Sequence, residues 1–199
     1  MINEDSEPLN LEKLQAHDQE ELTKMIQLYS DSLYRVALRM LENTAEAEDV
    51  LQETFIKALK SLDSFEGRSS ISTWLYRIAV NESLMVIRKR KPEVSIIQED
   101  ENEEDNSGIL VSQIVDWCCL PESEYMSNET RKILDDAIHQ LPEKLRTVFI
   151  LRDIEGLSIS ETAQAIGLTE TNVKTRLLRA RMRLREDIST YFGERMSEK

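Results

Sequence analysis

Five glycines and four prolines are all that 199 residues contain, and these two residue types build most tight turns. A chain so short of them is poorly suited to many strands joined by hairpins, and its apolar spacing is helical almost throughout. The glycines are scattered at positions 67, 108, 156, 167 and 193, so no glycine-rich loop is present to cradle a nucleotide phosphate. Metal ligands are equally scarce. His17 and His139 are the only histidines, and neither has another plausible ligand close in sequence. Cys118 and Cys119 are adjacent, which is not the paired spacing of a zinc site; they read as small residues of a connecting segment, the alternative being a redox or soft-metal sensor. No apolar run approaches the roughly 20 residues needed to span a bilayer. The first residues, Met1-Ile2-Asn3-Glu4-Asp5, are acidic and polar, unlike a secretion signal. Carboxylates abound, but on helix surfaces without a pocket signature. The expectation is an all-α cytoplasmic protein without membrane insertion, cofactor, metal or catalytic residues.

Positive charge is in deficit, at a formal net of −13, and the deficit is local. Residues 1–22 carry a net −6, and residues 92–127 carry −10 without a single base. Residues 23–91 carry +2 and residues 128–199 carry +1. The chain therefore divides into an acidic tail (1–19), a helical domain (20–92), an acidic linker (93–127), a second helical domain (128–192) and a short tail (193–199). Phosphate neutralisation supplies most generic DNA affinity, so such a chain should bind DNA poorly alone. A larger partner is expected to supply the rest.

In the first domain, residues 20–41 form an amphipathic helix with Leu22, Met25, Ile26, Tyr29, Leu33, Val36, Ala37 and Met40 on its inner side. Asn43 caps the next helix, with Glu46 at its third position and Ala47, Leu51, Thr54, Phe55, Ala58 and Leu62 as the core stripe. Opposite that stripe, Asp49, Gln52, Glu53, Ile56 and Lys60 fall within about 100° of one another. An exposed isoleucine among carboxylates suits a basic partner helix. After a loop at 63–70, a third helix spans 71–90 until Pro92 ends it, and it is apolar on more than one side. Along it Trp74, Arg77, Asn81, Leu84 and Arg88 align within about 80°, beside the cluster Arg88-Lys89-Arg90-Lys91. This line suits single-stranded nucleic acid, through stacking and backbone contacts; it equally fits a core tryptophan beside solvated arginines. In the linker, Ile109 to Trp117 reads as a short docking helix.

The second domain holds the sharpest signal, SISETAQAIGLTETNVKTRLLRARMRLR from Ser158 to Arg185. Ser158 and Glu161 form a capping box, Gly167 stands where a helix stops with positive φ, and Thr169 caps a second helix. Val173, Leu177, Ala180, Leu184 and Ile188 make one apolar stripe about 80° wide. Arg176, Arg179 and Arg183 flank it on one side, and Lys174, Arg181 and Arg185 on the other. Thr171, Thr175, Leu178 and Met182 point away. That is a helix-turn-helix whose second helix enters a major groove, with flanking cations for the phosphates.

These residues together resemble a bacterial RNA polymerase sigma factor of the extracytoplasmic-function (ECF) group of the sigma-70 family. AEAEDVLQETFIKAL is similar to the family's polymerase-binding segment, and FEGRSSISTWLYRIAVNES to its promoter-melting, −10-reading segment. LPEKLRTVFILRDIEGLSISETAQAIGLTETNVKTRLLRARMRLR is similar to its −35-reading domain. The resemblance covers roughly residues 22–92 and 128–190. It implies that Asp49, Gln52 and Glu53 dock on core RNA polymerase, and Ile56 joins them as the exposed apolar residue of the same face. It implies that Phe65, Gly67, Arg68, Ser69, Ser70, Trp74, Arg77, Asn81 and Arg88 meet the melted non-template strand of the −10 element. It assigns Thr171, Asn172, Lys174, Thr175, Leu178 and Arg179 to the double-stranded −35 element, where the flanking Arg176 and Arg183 join them by helical angle, Thr171 replacing the Gly that many members carry. It further implies a linker threaded into the polymerase and an anti-sigma factor as a partner. The alternative is an autonomous helix-turn-helix regulator, which would bind an operator tightly as a purified dimer. The charge of −13 and the acidic docking face argue against it.

Overall fold

A short helix, α1 (Leu11–Gln15), opens the computed structural model, which describes residues 9–90 and 128–197. This stretch lies within the expected acidic tail, yet Leu14 is completely buried. Asn10 caps α1 by accepting from the Lys13 amide at 3.1 Å, and its own amide donates to the Glu21 carboxylate at 2.7 Å. Gln15 donates to the Phe65 carbonyl at 2.9 Å, and His17 lies 2.9 Å from Asp63. One turn with a single anchoring leucine is too short to show periodicity.

Helix α2 (Gln19–Leu41) starts at Asp18, whose carboxylate accepts from the Glu21 amide, and stops at Glu42 in the left-handed conformation (φ +59°). Helix α3 (Thr44–Ser61) starts at Asn43, which accepts from the Glu46 amide at 3.1 Å as the sequence leads one to expect. A single 3₁₀ turn (Leu62–Ser64) leads into the 65–70 loop and then α4 (Ile71–Arg90). Ser70 caps α4, its hydroxyl accepting from the Thr73 amide at 3.1 Å. The three long helices pack pairwise. Met25, Leu33, Val36, Ala47, Ala58, Leu75 and Val80 form the centre. Ile26, expected inside, is 37% exposed, because the inner stripe of α2 is narrower than its apolar content. The buried hydroxyls of Thr54 and Ser83 donate to carbonyls one turn back, at 2.7 and 2.8 Å, so neither is left dry. Arg90 ties the end of α4 down, both terminal nitrogens donating to the Leu41 carbonyl at 2.9 Å and its Nε to Glu46.

The second half comprises α5 (Asn128–Gln140), α6 (Glu143–Phe149), α7 (Ile159–Ile166) and α8 (Glu170–Ser197). Helix α8 runs past residue 192, where the second domain was expected to end. Between α6 and α7 the chain widens into a π-helical turn at Ile150–Ile154, closed by amides of Glu155 and Leu157 on the carbonyls of Ile150 and Leu151, each at 3.0 Å. Gly156 follows with φ +77°, and this irregular corner turns Glu155 toward α2. All described residues are helix, turn or loop. The linker at 93–127, with the Ile109–Trp117 patch and both cysteines, lies outside the described residues.

The two halves pack on each other, α4 against α7 and α2 against α6 and the π turn. One apolar cluster runs from Leu33 and Val80 in the first half to Leu151, Leu157 and Leu184 in the second. Replacing Leu14 by Ala should destabilise the protein by about 2–5 kcal/mol, the cost of emptying a site whose lining only partly collapses. Urea unfolding measures it, and a loss below about 0.5 kcal/mol, as for an ordinary surface change, would show α1 to be peripheral.

Candidate nucleic-acid interface

On α3, Asp49 and Gln52 are exposed, Glu53 is half-buried and Ile56 is 43% exposed between them. The opposite face holds Ala47, Thr54, Phe55 and Ala58, all buried, so the helix is clamped from behind and presents this acidic row outward. Glu53 lies 3.6 Å from Lys57, and Lys57 makes a closer pair with Glu82 of α4 at 2.6 Å. The Glu82 hydrogen bond raises the Lys57 pKa and keeps that base occupied within the bundle.

The loop before α4 brings Arg68, Ser69 and the α4 side chains Trp74 and Arg77 around one cleft of about 210 Å³. Gly67 takes φ +69°, a conformation that a side chain would strain. Arg68 is exposed and pairs with Glu66. Asn81 and Arg88 are exposed further along α4, in line with Arg77. Phe65 differs from expectation: it is 8% exposed, with its ring centroid 4.7 Å from that of Trp74 and tilted by 33°. The phenyl ring holds the indole in place from beneath. Ser70 is exposed, yet its hydroxyl is engaged in capping α4. Of the basic cluster after Ile87, Arg88 and Lys89 face solvent and Arg90 is fastened to the bundle; Lys91 lies outside the described residues.

In the helix-turn-helix, the Ser158 hydroxyl accepts from the Glu161 amide at 3.1 Å while the Ser158 amide donates to the Glu161 carboxylate at 2.8 Å. Gly167 is left-handed at φ +69°, and the Thr169 hydroxyl accepts from the Asn172 amide at 3.2 Å. Val173, Leu177, Ala180 and Leu184 are buried, and Ile188 packs beside them. Thr171, Asn172, Lys174 and Arg183 are exposed, while Thr175, Arg176, Leu178 and Arg179 are half-buried on the shoulders of α8. Lys174 lies 4.0 Å from Glu170. Arg181, expected to flank the stripe as a phosphate-facing cation, is instead a brace: its guanidinium grips Asp153 of the π turn at 2.9 and 2.7 Å. The brace fixes α8 against the π turn by a two-pronged charge-assisted contact.

Comparison with known proteins follows the same division. The Sigma-70 region 2 family matches residues 25–93, and the Sigma-70 region 4 family matches residues 131–184. The ECF RNA polymerase sigma factor SigW of Bacillus subtilis strain 168 is 37% identical over 178 residues, covering 89% of this chain and 94% of that protein. The chain belongs to the ECF RNA polymerase sigma factors. The ECF RNA polymerase sigma-E factor of Escherichia coli K12 is 36% identical over 173 residues, 86% of this chain and 88% of that one. The fold is similar to that of the sigma factor RpoE in its co-crystal with the anti-sigma factor NepR from Bartonella quintana, with a TM-score of 0.64 and 27% identity over 85% of this chain and 98% of that one. A sigma factor is not an enzyme; this one directs promoter-specific transcription initiation. No helix among the described residues is long and apolar enough to cross a membrane.

The capping box is also a pH probe. Hydrogen bonds from the Ser158 hydroxyl, then from its backbone, hold the Glu161 carboxyl below the usual carboxylate range. A depressed folded pKa contributes stability that is complete above the unfolded pKa and is lost as pH falls through the folded one. Ser158→Ala should cost about 1 kcal/mol near neutral pH. The gap in melting temperature between Glu161→Gln and the wild-type chain should be present at neutral pH and close as acidification passes through the folded pKa of Glu161. A gap unchanged by acid would contradict the charged cap.

Proposed function

We propose that this sigma factor docks on core RNA polymerase through Asp49, Gln52, Glu53 and Ile56 of α3 and reads the two promoter elements with separate halves of the chain. The observation that carries the docking is Ile56, 43% exposed among carboxylates on a helix whose other face is locked in the core. A buried apolar anchor ringed by charge gives a basic partner helix both affinity and register.

Gly67, Arg68, Ser69, Ser70, Trp74, Arg77, Asn81 and Arg88 then receive the melted non-template strand of the −10 element. Trp74 offers an aromatic face, the arginines meet phosphates, and Phe65 serves from below by bracing the indole. Extruding and unstacking a base costs a few kcal/mol, which pocket binding and stacking offset without nucleotide hydrolysis. At the −35 element α8 lies in the major groove. Thr171, Asn172 and Thr175 face base edges, Leu178 packs on an apolar edge, and Lys174, Arg176, Arg179 and Arg183 hold phosphates. The protein works in the cytoplasm, catalyses no reaction itself and needs no cofactor or metal. An anti-sigma factor restrains it, in keeping with the NepR complex of its structural relative.

Asp49→Lys with Glu53→Lys should abolish co-purification with core polymerase while the circular dichroism spectrum stays unchanged; undiminished co-purification would sink the docking face. Asn172→Ala should weaken holoenzyme binding to the −35 element by about 1–3 kcal/mol and relax preference at a single base pair. A uniform loss across all sequences would assign Asn172 to phosphate contact instead. Tight, sequence-specific gel shifts by the chain alone, without polymerase, would favour an autonomous regulator.

A further inference from the structure

Helix α1 is anchored to the core and to α2 before its last polar side chains come into play. Leu14 is completely buried, and the Asn10 amide donates at 2.7 Å to Glu21, a carboxylate itself buried on α2. If α1 served only to cover the core, these two contacts would suffice. Gln15 and His17 reach elsewhere. The Gln15 side-chain amide donates to the Phe65 carbonyl at 2.9 Å in a partly buried setting. His17 Nε2 lies 2.9 Å from the Asp63 carboxylate on the 3₁₀ turn just before Phe65. His17 itself is left-handed (φ +55°), a tight corner after which Asp18 can start α2 at once. A Cβ added at Gly67 would lie 3.5 Å from Cδ2 of Leu11, so the start of α1 also borders the loop.

Phe65 is the point from which that loop leaves the core. Its ring is held from within by Trp74, and its amide donates to the Leu62 carbonyl at 3.0 Å. Its carbonyl is held from outside by Gln15. A fixed carbonyl fixes ψ of Phe65, here 108°, and hence the direction in which Glu66, Gly67 and Arg68 depart. Those residues are exposed, and the loop rejoins the bundle at Ser70, which caps α4. Rotating the 65–66 peptide would break the Gln15 bond and swing Arg68 away from the cleft it shares with Ser69, Trp74 and Arg77.

We propose that α1 is a positioning strut for promoter reading: Gln15, seated by the Leu14 anchor, holds the Phe65 carbonyl and so sets the 65–70 loop in its strand-receiving shape before DNA arrives. The consequence for the −10 element rests on the reading of that loop given above; the hold on the loop does not. Gln15 itself touches no DNA and acts through Phe65. The strut precedes residues 25–93, the span matched by the Sigma-70 region 2 family, so the family match assigns it no role. A loop already in its bound shape avoids the ordering cost that binding would otherwise carry. His17 and Asp63 are both exposed, so their pair adds little in water, and Gln15 is the residue to change.

Gln15→Met and Gln15→Lys form a matched pair, both unbranched and of similar length, of which only lysine keeps an N–H donor. Two measurements on the full chain compare them with wild type. With Trp117→Phe as background, Trp74 is the sole tryptophan, and acrylamide quenching of its fluorescence reports how firmly the Phe65 ring covers it. Gln15→Met should steepen the quenching at unchanged helicity, and Gln15→Lys should stay near the wild-type slope. The second measurement is holoenzyme affinity for a promoter taken from its own genomic start sites and premelted over the −10 element. Each base is placed in turn at each non-template position. Gln15→Met should lower discrimination between the best and worst base by roughly two- to tenfold, the range that one neutral hydrogen bond supports. Binding to duplex carrying only the −35 element should not change. Gln15→Lys should recover the discrimination, since a ratio of affinities cancels any phosphate attraction that lysine adds. Unchanged quenching in Gln15→Met, or Gln15→Lys no better than Gln15→Met, would overturn the proposal. Quenching that responds while base discrimination does not would leave the strut standing and count only against assigning the loop to the −10 strand.

Discussion

Helix α4 carries apolar side chains around more of its circumference than one bundle can cover. Leu75, Tyr76, Ala79 and Val80 are buried, and its neighbours come from both halves of the chain: α2 and α3 on one side, α7 on the other. The remaining strip is the line of Trp74, Arg77, Asn81 and Arg88. This constraint organises the rest. Because α4 is gripped from two directions, its polar line is held rigidly at a fixed angle, and the 65–70 loop is tied to it through the Phe65–Trp74 ring contact and the Ser70 cap. Because one of the two grips belongs to the helix-turn-helix half, the surface proposed for the −10 element is linked to the position of the proposed −35 reader.

Charge divides the labour differently. Buried Glu155 and exposed Glu42 each pair across the two halves, whereas Asp49 and Glu53 of α3 lie around Ile56 on its outer face. The Glu155 carboxylate is buried, so its pairing returns little net stability, yet removing its arginines, Arg35 and Arg39, would leave it with an uncompensated desolvation penalty. Such pairs specify an arrangement more than they strengthen it. The apolar cluster supplies the strength, and it extends across both halves.

The helix-turn-helix was legible to the residue because each of its signals is local: Ser158 with Glu161 three positions on, Gly167 at the stop, Thr169 at the restart, and a stripe within one helix. Asn43 was legible on the same grounds, as were the limits of the third helix. What escaped was whatever depends on partners far away in sequence. Arg35 and Glu155 are separated by 120 residues, and Arg146 and Glu42 by 104, so no window of sequence shows that they meet. The brace between Arg181 and Asp153 passed for a phosphate contact because a guanidinium at that helical angle serves either purpose. Helix α1 is too brief for periodicity, and the π turn has no compositional mark. Phe65 was expected against a base and lies against Trp74, since an aromatic in a loop carries no sign of which neighbour it will find.

The central claim is that two helical bodies, each a weak DNA binder, gain promoter selectivity by acting together on the polymerase. Mapping the 5′ ends of RNA made on genomic DNA by core polymerase, with and without this protein, tests it directly. The account predicts a new set of discrete start sites that share one −35 and one −10 sequence at constant spacing and appear only when the protein is added. Start sites unchanged by its addition, or new ones without a shared upstream pair of elements, would contradict it.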